Sequence, residues 1–466
     1  MKMEETAKEL EKRLTWKFPT IAKKSPEQKE EAFAYCEGYK AFLNAAKTER
    51  EFTAQAAALL ERSGYAEWAP GRKYAPGDKV YVMNRKKALI MTTFGTRPLE
   101  DGLRLNAAHI DSPRLDLKPN PLYEKSEMAY FKTHYYGGIR KYQWVALPLA
   151  MHGVVIKADG ETVEISVGEK EGDPVFCATD LLPHLSADQN ERKLKDGIKG
   201  EELNILLGSL PFDCGDEEIK EAVKLQILAL LHGTYGITEK DFLRAEIELV
   251  PAAKAVDVGF DRSMVGAYGQ DDRVCAYTAM TAEIATKHPE YTTVTVFADK
   301  EEIGSVGNTG LNSNFLLHYV MDLAAAAGAD YRRVLEHSLC LSSDVNAAFD
   351  PTFPQVYEEK NACYLGKGCV LTKYTGARGK SGSSDASAET MARVIERMDA
   401  EGVYWQIGEL GAVDAGGGGT VALYVAGLNV DVVDLGVPIL SMHSPFEVAS
   451  KMDIYHTYKA FLAFYK

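Results

Sequence analysis

From residue 271 onward, short apolar runs alternate with longer segments of helical period. Residues 293–298, 338–341 and 437–442 are apolar enough to predict buried strands. Residues 271–287, 315–327 and 385–401 repeat their apolar positions every three to four residues and predict helices. Elements that alternate in this way pack in layers around a largely parallel sheet, because neighbouring parallel strands need a helical crossover between them.

The first hundred residues carry a related texture. Residues 27–46 and 52–60 predict helices, 70–78 a Pro/Gly/Asp loop, and 79–83, 88–93 and 103–110 strands. The middle of the chain differs. Residues 111–136 are polar, with Pro113, Pro119 and Pro121, and read as a long connection. Residues 146–157 and 162–167 alternate apolar with polar residues around Asp159-Gly160, the signature of a hairpin. Then come a charged loop at 188–202, a helix at 217–231 and a strand at 245–250. The expected fold is α/β: a mixed, largely parallel sheet flanked by helices, in two pieces at 1–115 and 251–466. A smaller β-rich domain is inserted at 116–250.

Charge and cysteine content narrow the partners. With 53 basic against 67 acidic residues, the net charge of −14 is a poor footprint for nucleic acid or an anionic membrane. No apolar tract approaches the roughly 20 residues of a membrane span, and the charged start lacks the apolar region of an export signal. Seven cysteines, an odd number without a C-x-x-C pair, argue against a disulfide framework and against a zinc ribbon. They fit free thiols in a cytoplasmic protein.

Chemistry gathers where apolar runs end. His109 and Asp111 follow one strand, Glu301-Glu302 another, and Asp344 and His443 two more, while Asp271 heads a helix. Each alone has a plainer reading: a helix cap for Asp271, a solvated turn for the glutamate pair, ordinary histidines for the others. Together they are hard to assign to chance, because ligands of open parallel sheets sit outside the carboxyl ends of strands. Two imidazoles with several carboxylates suit zinc, cobalt or manganese better than a thiolate-seeking metal. A carboxylate that bridges two cations holds them roughly 3.5–4 Å apart, and the second member of a Glu-Glu pair can then move a water proton. In His-x-Asp the aspartate can accept the free ring N–H and fix the tautomer.

The segments 108–113 (AHIDSP), 270–273 (QDDR), 299–305 (DKEEIGS), Ser343-Asp344 and 442–445 (MHSP) resemble the aspartyl aminopeptidases, family eighteen of the metallopeptidases. The likeness runs through most of the chain, in order and spacing. It implies a dizinc aminopeptidase in which Asp271 bridges two metal ions. His109 and Asp344 would complete one site, Glu302 and His443 the other. Glu301 would be the general base acting on a water between the metals, with Asp111 the partner of His109. It implies two divalent ions per subunit, zinc, or cobalt or manganese through the same donors, and peptide substrates. It also implies a peptidase domain with an inserted dimerisation domain, assembled as a tetrahedral dodecamer. The stretch 182–185 (LPHL) resembles the family segment whose histidine reaches a neighbouring subunit, making His184 a candidate oxyanion stabiliser in trans. Lys373 stands where the family places a lysine near the substrate side chain, which would suit an acidic N-terminal residue. The residues after Asp344 (VNAAFDP) lack the further histidines of eukaryotic members, so broader specificity is the alternative.

Three other functions compete. A dizinc carboxypeptidase or deacylase would use much the same ligands, and a metal-stabilised assembly shell would need them only for structure. A nucleotide enzyme is suggested by Gly379-Lys-Ser381, but Tyr374 stands where a phosphate loop requires glycine. That segment reads better as a loop before the helix near Asp385, and Gly416–Gly419 as a turn where backbone must come close to something.

Overall fold

The computed structural model describes residues 6–213, 215 and 219–466. Its centre is a nine-stranded mixed sheet. In spatial order the strands are Ala66–Glu67, Lys79–Asn84, Ala88–Thr93, Thr293–Ala298, Arg104–His109, Leu339–Ser342, Asp431–Gly436, Cys369–Thr372 and Trp405–Ile407. The four strands from Thr293–Ala298 to Asp431–Gly436 run parallel, so their carboxyl ends share one edge.

Side chains of these strands alternate between two apolar layers, as the pleat requires. Phe297, Ala108, Leu89 and Met91 pack with helices Gln28–Ala45, Glu49–Arg62 and Gln270–Ala285 on one face. Val294, Val296, Ala107 and Ile90 pack with Phe315–Ala327 and Tyr331–Glu336 on the other. Both faces are therefore covered, which is why the strands read as nearly continuous apolar runs. Burying one side chain such as Phe297, fully enclosed against Phe52, contributes about 1.5–3 kcal/mol.

A second sheet of seven strands runs antiparallel throughout. Its order is Thr162–Val167, Leu149–Ile156, Ala245–Pro251, Arg114–Lys125, Met128–Tyr136, Ile205–Gly208 and Cys177–Ala178. The 146–167 hairpin forms as expected, with Gly160 at φ +89° in its turn. The supposed connection at 111–136 is a correction. It is a long hairpin: Pro113 precedes its first strand, and Pro119 and Pro121 are tolerated because the pairing register shifts between Leu117 and Leu122. The helix expected at 217–231 spans Ala222–Tyr235, and residues 217 and 218 of the expectation lie outside the described residues.

A third, five-stranded sheet corrects another expectation. Residues 437–442 read as one more buried strand of the alternating pattern, but Pro438–Leu440 pairs with Glu447–Ser450 and Asn346–Ala347 in this smaller sheet. The strand of the main sheet is Asp431–Gly436, whose two aspartates disguise an otherwise buried run. The helix placed from Asp385 starts at Ala388, because the Ser387 hydroxyl caps it by accepting the Thr390 N–H. No helix among the described residues is long and apolar enough to cross a membrane. Among the described residues six cysteines are free thiols, five of them buried.

Candidate metal centre

Three of the expected ligands leave the shared edge of the main sheet. His109 ends Arg104–His109, Glu302 lies in the turn after Thr293–Ala298, and Asp344 follows Leu339–Ser342. Asp271 and His443 come from the smaller sheet, after Met264–Ala267 and Pro438–Leu440. At Gly436 the backbone passes so close to Asp344 that a Cβ would fall 1.8 Å from its carbonyl oxygen, so only glycine fits.

The five side chains converge as two overlapping groups. His109, Asp271 and Asp344 form one, and Asp271, Glu302 and His443 the other, with candidate donor atoms in each within 4.8 Å of one another. The Asp271 carboxylate is divided between them. Its Oδ1 lies 3.1 Å from His109 Nε2, and its Oδ2 lies 3.1 Å from His443 Nε2.

The far side of each imidazole is also engaged. His109 Nδ1 lies 3.1 Å from the Asp111 carbonyl oxygen and 3.5 Å from its carboxylate. His443 Nδ1 lies 2.9 Å from the Gly138 carbonyl. A carbonyl can only accept, so Nδ1 carries the proton in both rings and Nε2 faces the carboxylates. Asp111 further accepts the backbone N–H of Glu301 (3.1 Å) and of Glu302 (3.2 Å), and the hydroxyl of Tyr136 (2.8 Å). Neither Tyr136 nor Gly138 was found by sequence reasoning: Tyr136 ends the stretch that reads as a connection, and Gly138, just beyond it, acts through a backbone carbonyl.

Electrostatically the centre is crowded with like charge. Burial and the charge of Asp271 push the Glu302 carboxyl well up. Burial raises Asp344 as well, with Asp272 and Asp271 adding to it against the pull of His109. Glu301, lining the same cavity, is raised by burial to about 6. Burial opposes ionisation of Asp271 too, but hydrogen bonds to the two histidines hold it below its ordinary value. The buried Oε1 of Glu302 has no hydrogen-bond partner. Buried carboxylates packed against two imidazoles, one with an unsatisfied oxygen, are a donor set that suits divalent cations.

Four of the five, His109, Asp271, Asp344 and His443, open on a cavity of about 230 Å³, also lined by Asn346, Thr375, Gly417–Gly419 and Thr420. A larger cavity of about 670 Å³, between Arg50, Met83, Val154 and Arg244, lies away from this chemistry.

Two expected residues are not brought here within the chain. His184 is exposed in the turn Pro183–Leu185, and Lys373 pairs with Asp385 at 2.6 Å, with 44% of its side chain exposed.

Comparison with known proteins decides the family. Residues 42–465 match the model of the Aminopeptidase I zinc metalloproteases (M18). The chain belongs to the M18 aminopeptidases. It is 50% identical over 446 residues to a "Probable M18 family aminopeptidase 1" of Clostridium acetobutylicum, covering 94% of this chain and 95% of that one. The crystal structure of an M18 aminopeptidase from Thermotoga maritima superposes with a TM-score of 0.92 at 44% identity, covering 97% of this chain and all of the other. A Saccharomyces cerevisiae structure titled as the mApe1 dodecamer shares the fold at 21% identity, with a TM-score of 0.75, over 94% of this chain and 97% of that one. This M18 member is thus a metallo-aminopeptidase and a zinc metalloprotease. The carboxypeptidase, deacylase and shell readings are set aside.

Proposed function

We propose that the chain removes N-terminal residues from peptides at a dinuclear centre. One ion would be held by His109, Asp271 and Asp344, the other by Asp271, Glu302 and His443. The observation that carries this reading is the division of the Asp271 carboxylate between two histidines. Two bound divalent cations, zinc or with the same donors cobalt or manganese, would supply Lewis acidity toward the scissile carbonyl and make water a nucleophile near neutral pH.

The remaining steps belong to the protein. Glu301, already raised to about 6 by burial, takes a proton from the attacking water and returns it to the leaving amine. Asp111 holds the Glu301-Glu302 turn by its two backbone N–H groups and orients His109. The 230 Å³ cavity gives room for an N-terminal side chain. Analysis for two metal ions per chain, together with cleavage of a free-amine peptide but not its N-acetylated form, tests the proposal. One inert ion, or equal turnover of the blocked peptide, refutes it.

Side-chain preference is a finer matter. The acidic preference requires Lys373 to exchange Asp385 for a substrate carboxylate. The cavity's lining, which adds Val345, Leu410, Met442 and Asp434 to its threonines and glycines and holds no lysine or arginine among the described residues, favours the broader specificity.

We also propose a cytoplasmic homo-oligomer, a dodecamer by analogy, in which the inserted domain 116–250 makes contacts and His184 reaches a neighbouring active site. Leu182 and Leu185, which flank that histidine, are 49% and 68% exposed, an apolar surface that assembly would cover. Light scattering on the purified protein checks the mass.

A further inference from the structure

The strand Met128–Tyr136 of the seven-stranded sheet runs out at the metal centre, and its last residues touch both sides of it. The Tyr136 hydroxyl donates to Asp111 Oδ2 at 2.8 Å, and the same oxygen takes the backbone N–H of Glu302 at 3.2 Å. Two residues on, the Gly138 carbonyl lies 2.9 Å from His443 Nδ1. Between them Gly137 sits at φ +74°, where a Cβ would stand 3.0 Å from Glu302 Oε2. A Cβ on Gly138 would stand 3.2 Å from His443 Nδ1. The backbone thus lies close against Glu302 and His443, and a side chain at either glycine would press on them.

This segment is itself rigidly held. Tyr136 pairs with Arg114 across the strands, and the buried guanidinium sits 3.9 Å from the centre of its ring. Arg114 is fixed in turn by Asp116 at 2.8 Å, Glu248 at 3.3 Å and Glu49 at 3.4 Å. Glu49 belongs to a helix of the peptidase layer, whereas Asp116 and Glu248 belong to the seven-stranded sheet. A charged network therefore ties that sheet to the segment that touches the ligands.

We propose that Tyr136, Gly137 and Gly138 form a positioning clamp by which the seven-stranded sheet sets the donor geometry of Glu302 and His443 and the placement of Glu301. Tyr136 acts through Asp111 on the Glu301-Glu302 turn. Gly138 acts on the His443 ring alone. Partners of this kind, which orient a metal's ligands, typically change affinity or activity by about 10–100-fold when lost. The proposal rests on the dinuclear reading above.

The test titrates zinc alone into the metal-stripped full chain, against a competing chelator, for wild type, Tyr136→Phe, Gly138→Ala and Tyr123→Phe. Tyr123 lies in the same sheet, with its ring stacked on Tyr130, and serves as the control. Gly138→Ala should weaken one of two binding steps about tenfold or more and leave the other within threefold. Tyr136→Phe keeps the ring and its contact with Arg114, so when metal-free it should still fold, with a modest drop in melting temperature for the lost hydrogen bond to Asp111. Reloaded with zinc, it should lose about tenfold in kcat on a leucine chromogenic substrate with KM within twofold. Wild-type isotherms for Gly138→Ala and unchanged kcat for Tyr136→Phe overturn the clamp, as does an equal loss in the Tyr123→Phe control. If Gly138→Ala does not fold, Tyr136→Phe decides alone. A wild type that binds fewer than two ions refutes the dinuclear reading instead.

Discussion

Glu447 accepts the backbone N–H of Asp271 through its Oε2, at 3.1 Å. Its other oxygen takes the His443 N–H at 2.8 Å. One buried carboxylate therefore ties together the two ligand-bearing loops of the smaller sheet. Replacing it with alanine leaves two buried N–H groups without acceptors, and Glu447→Gln leaves one. Zinc affinity should fall roughly 10–100-fold in Glu447→Ala and less in Glu447→Gln, read by titration against a chelator. Unchanged affinity in the alanine variant would show that the loops hold themselves.

Glu301 lines the cavity without belonging to either ligand group. Glu301→Gln keeps its shape and removes its capacity to carry a proton. Activity should drop by about 10²–10⁴-fold while the zinc-dependent rise in melting temperature stays as in wild type. Turnover at the wild-type rate would falsify the assignment of the base.

How far the sequence reveals this centre depends on chain direction. His109, Glu302 and Asp344 were legible because each follows an apolar run of a parallel strand, and such ends share an edge whatever their separation in sequence. Asp271 and His443 were legible as residue types, but the smaller sheet that carries them was not, since short strands such as Pro438–Leu440 look like continuations of the main one. Asp431–Gly436 was missed because an exposed Asp431 and a buried Asp434 break its apolar pattern. Tyr136, Gly138 and Glu447 act through a single hydroxyl, a carbonyl and a carboxylate bound to backbone. Local sequence has no pattern that marks such contacts before the fold brings them together.

Glu169 makes acid stability measurable. Burial works against its ionisation, yet hydrogen bonds from His152, Lys254 and Lys47 hold it down from its ordinary 4.5 to about 2. Lys47 is 2.6 Å away and His152 Nε2 3.1 Å away. Because the folded value is the lower one, the stabilisation is complete above pH 4.5 and is lost as the pH falls toward 2. Melting temperature should decline across that window in wild type and less steeply in Glu169→Gln. Identical slopes would mean that other carboxylates govern acid unfolding.

The ion pair of Lys373 with Asp385 bears on substrate choice. Lys380 also reaches Asp385, at 3.0 Å, so the carboxylate is shared by two half-exposed cations. Exposed pairs of this kind are worth about 0–1 kcal/mol, so a substrate carboxylate could displace Asp385 at small cost. If Lys373 reads the N-terminal side chain, Lys373→Ala should lower kcat/KM for an aspartyl chromogenic substrate about three- to tenfold and leave a leucyl substrate within twofold. Asp385→Ala, which frees the lysine, should shift the ratio the other way. Equal wild-type rates on aspartyl, leucyl and lysyl substrates, unaltered in both variants, would eliminate the acidic preference and leave the aminopeptidase activity standing.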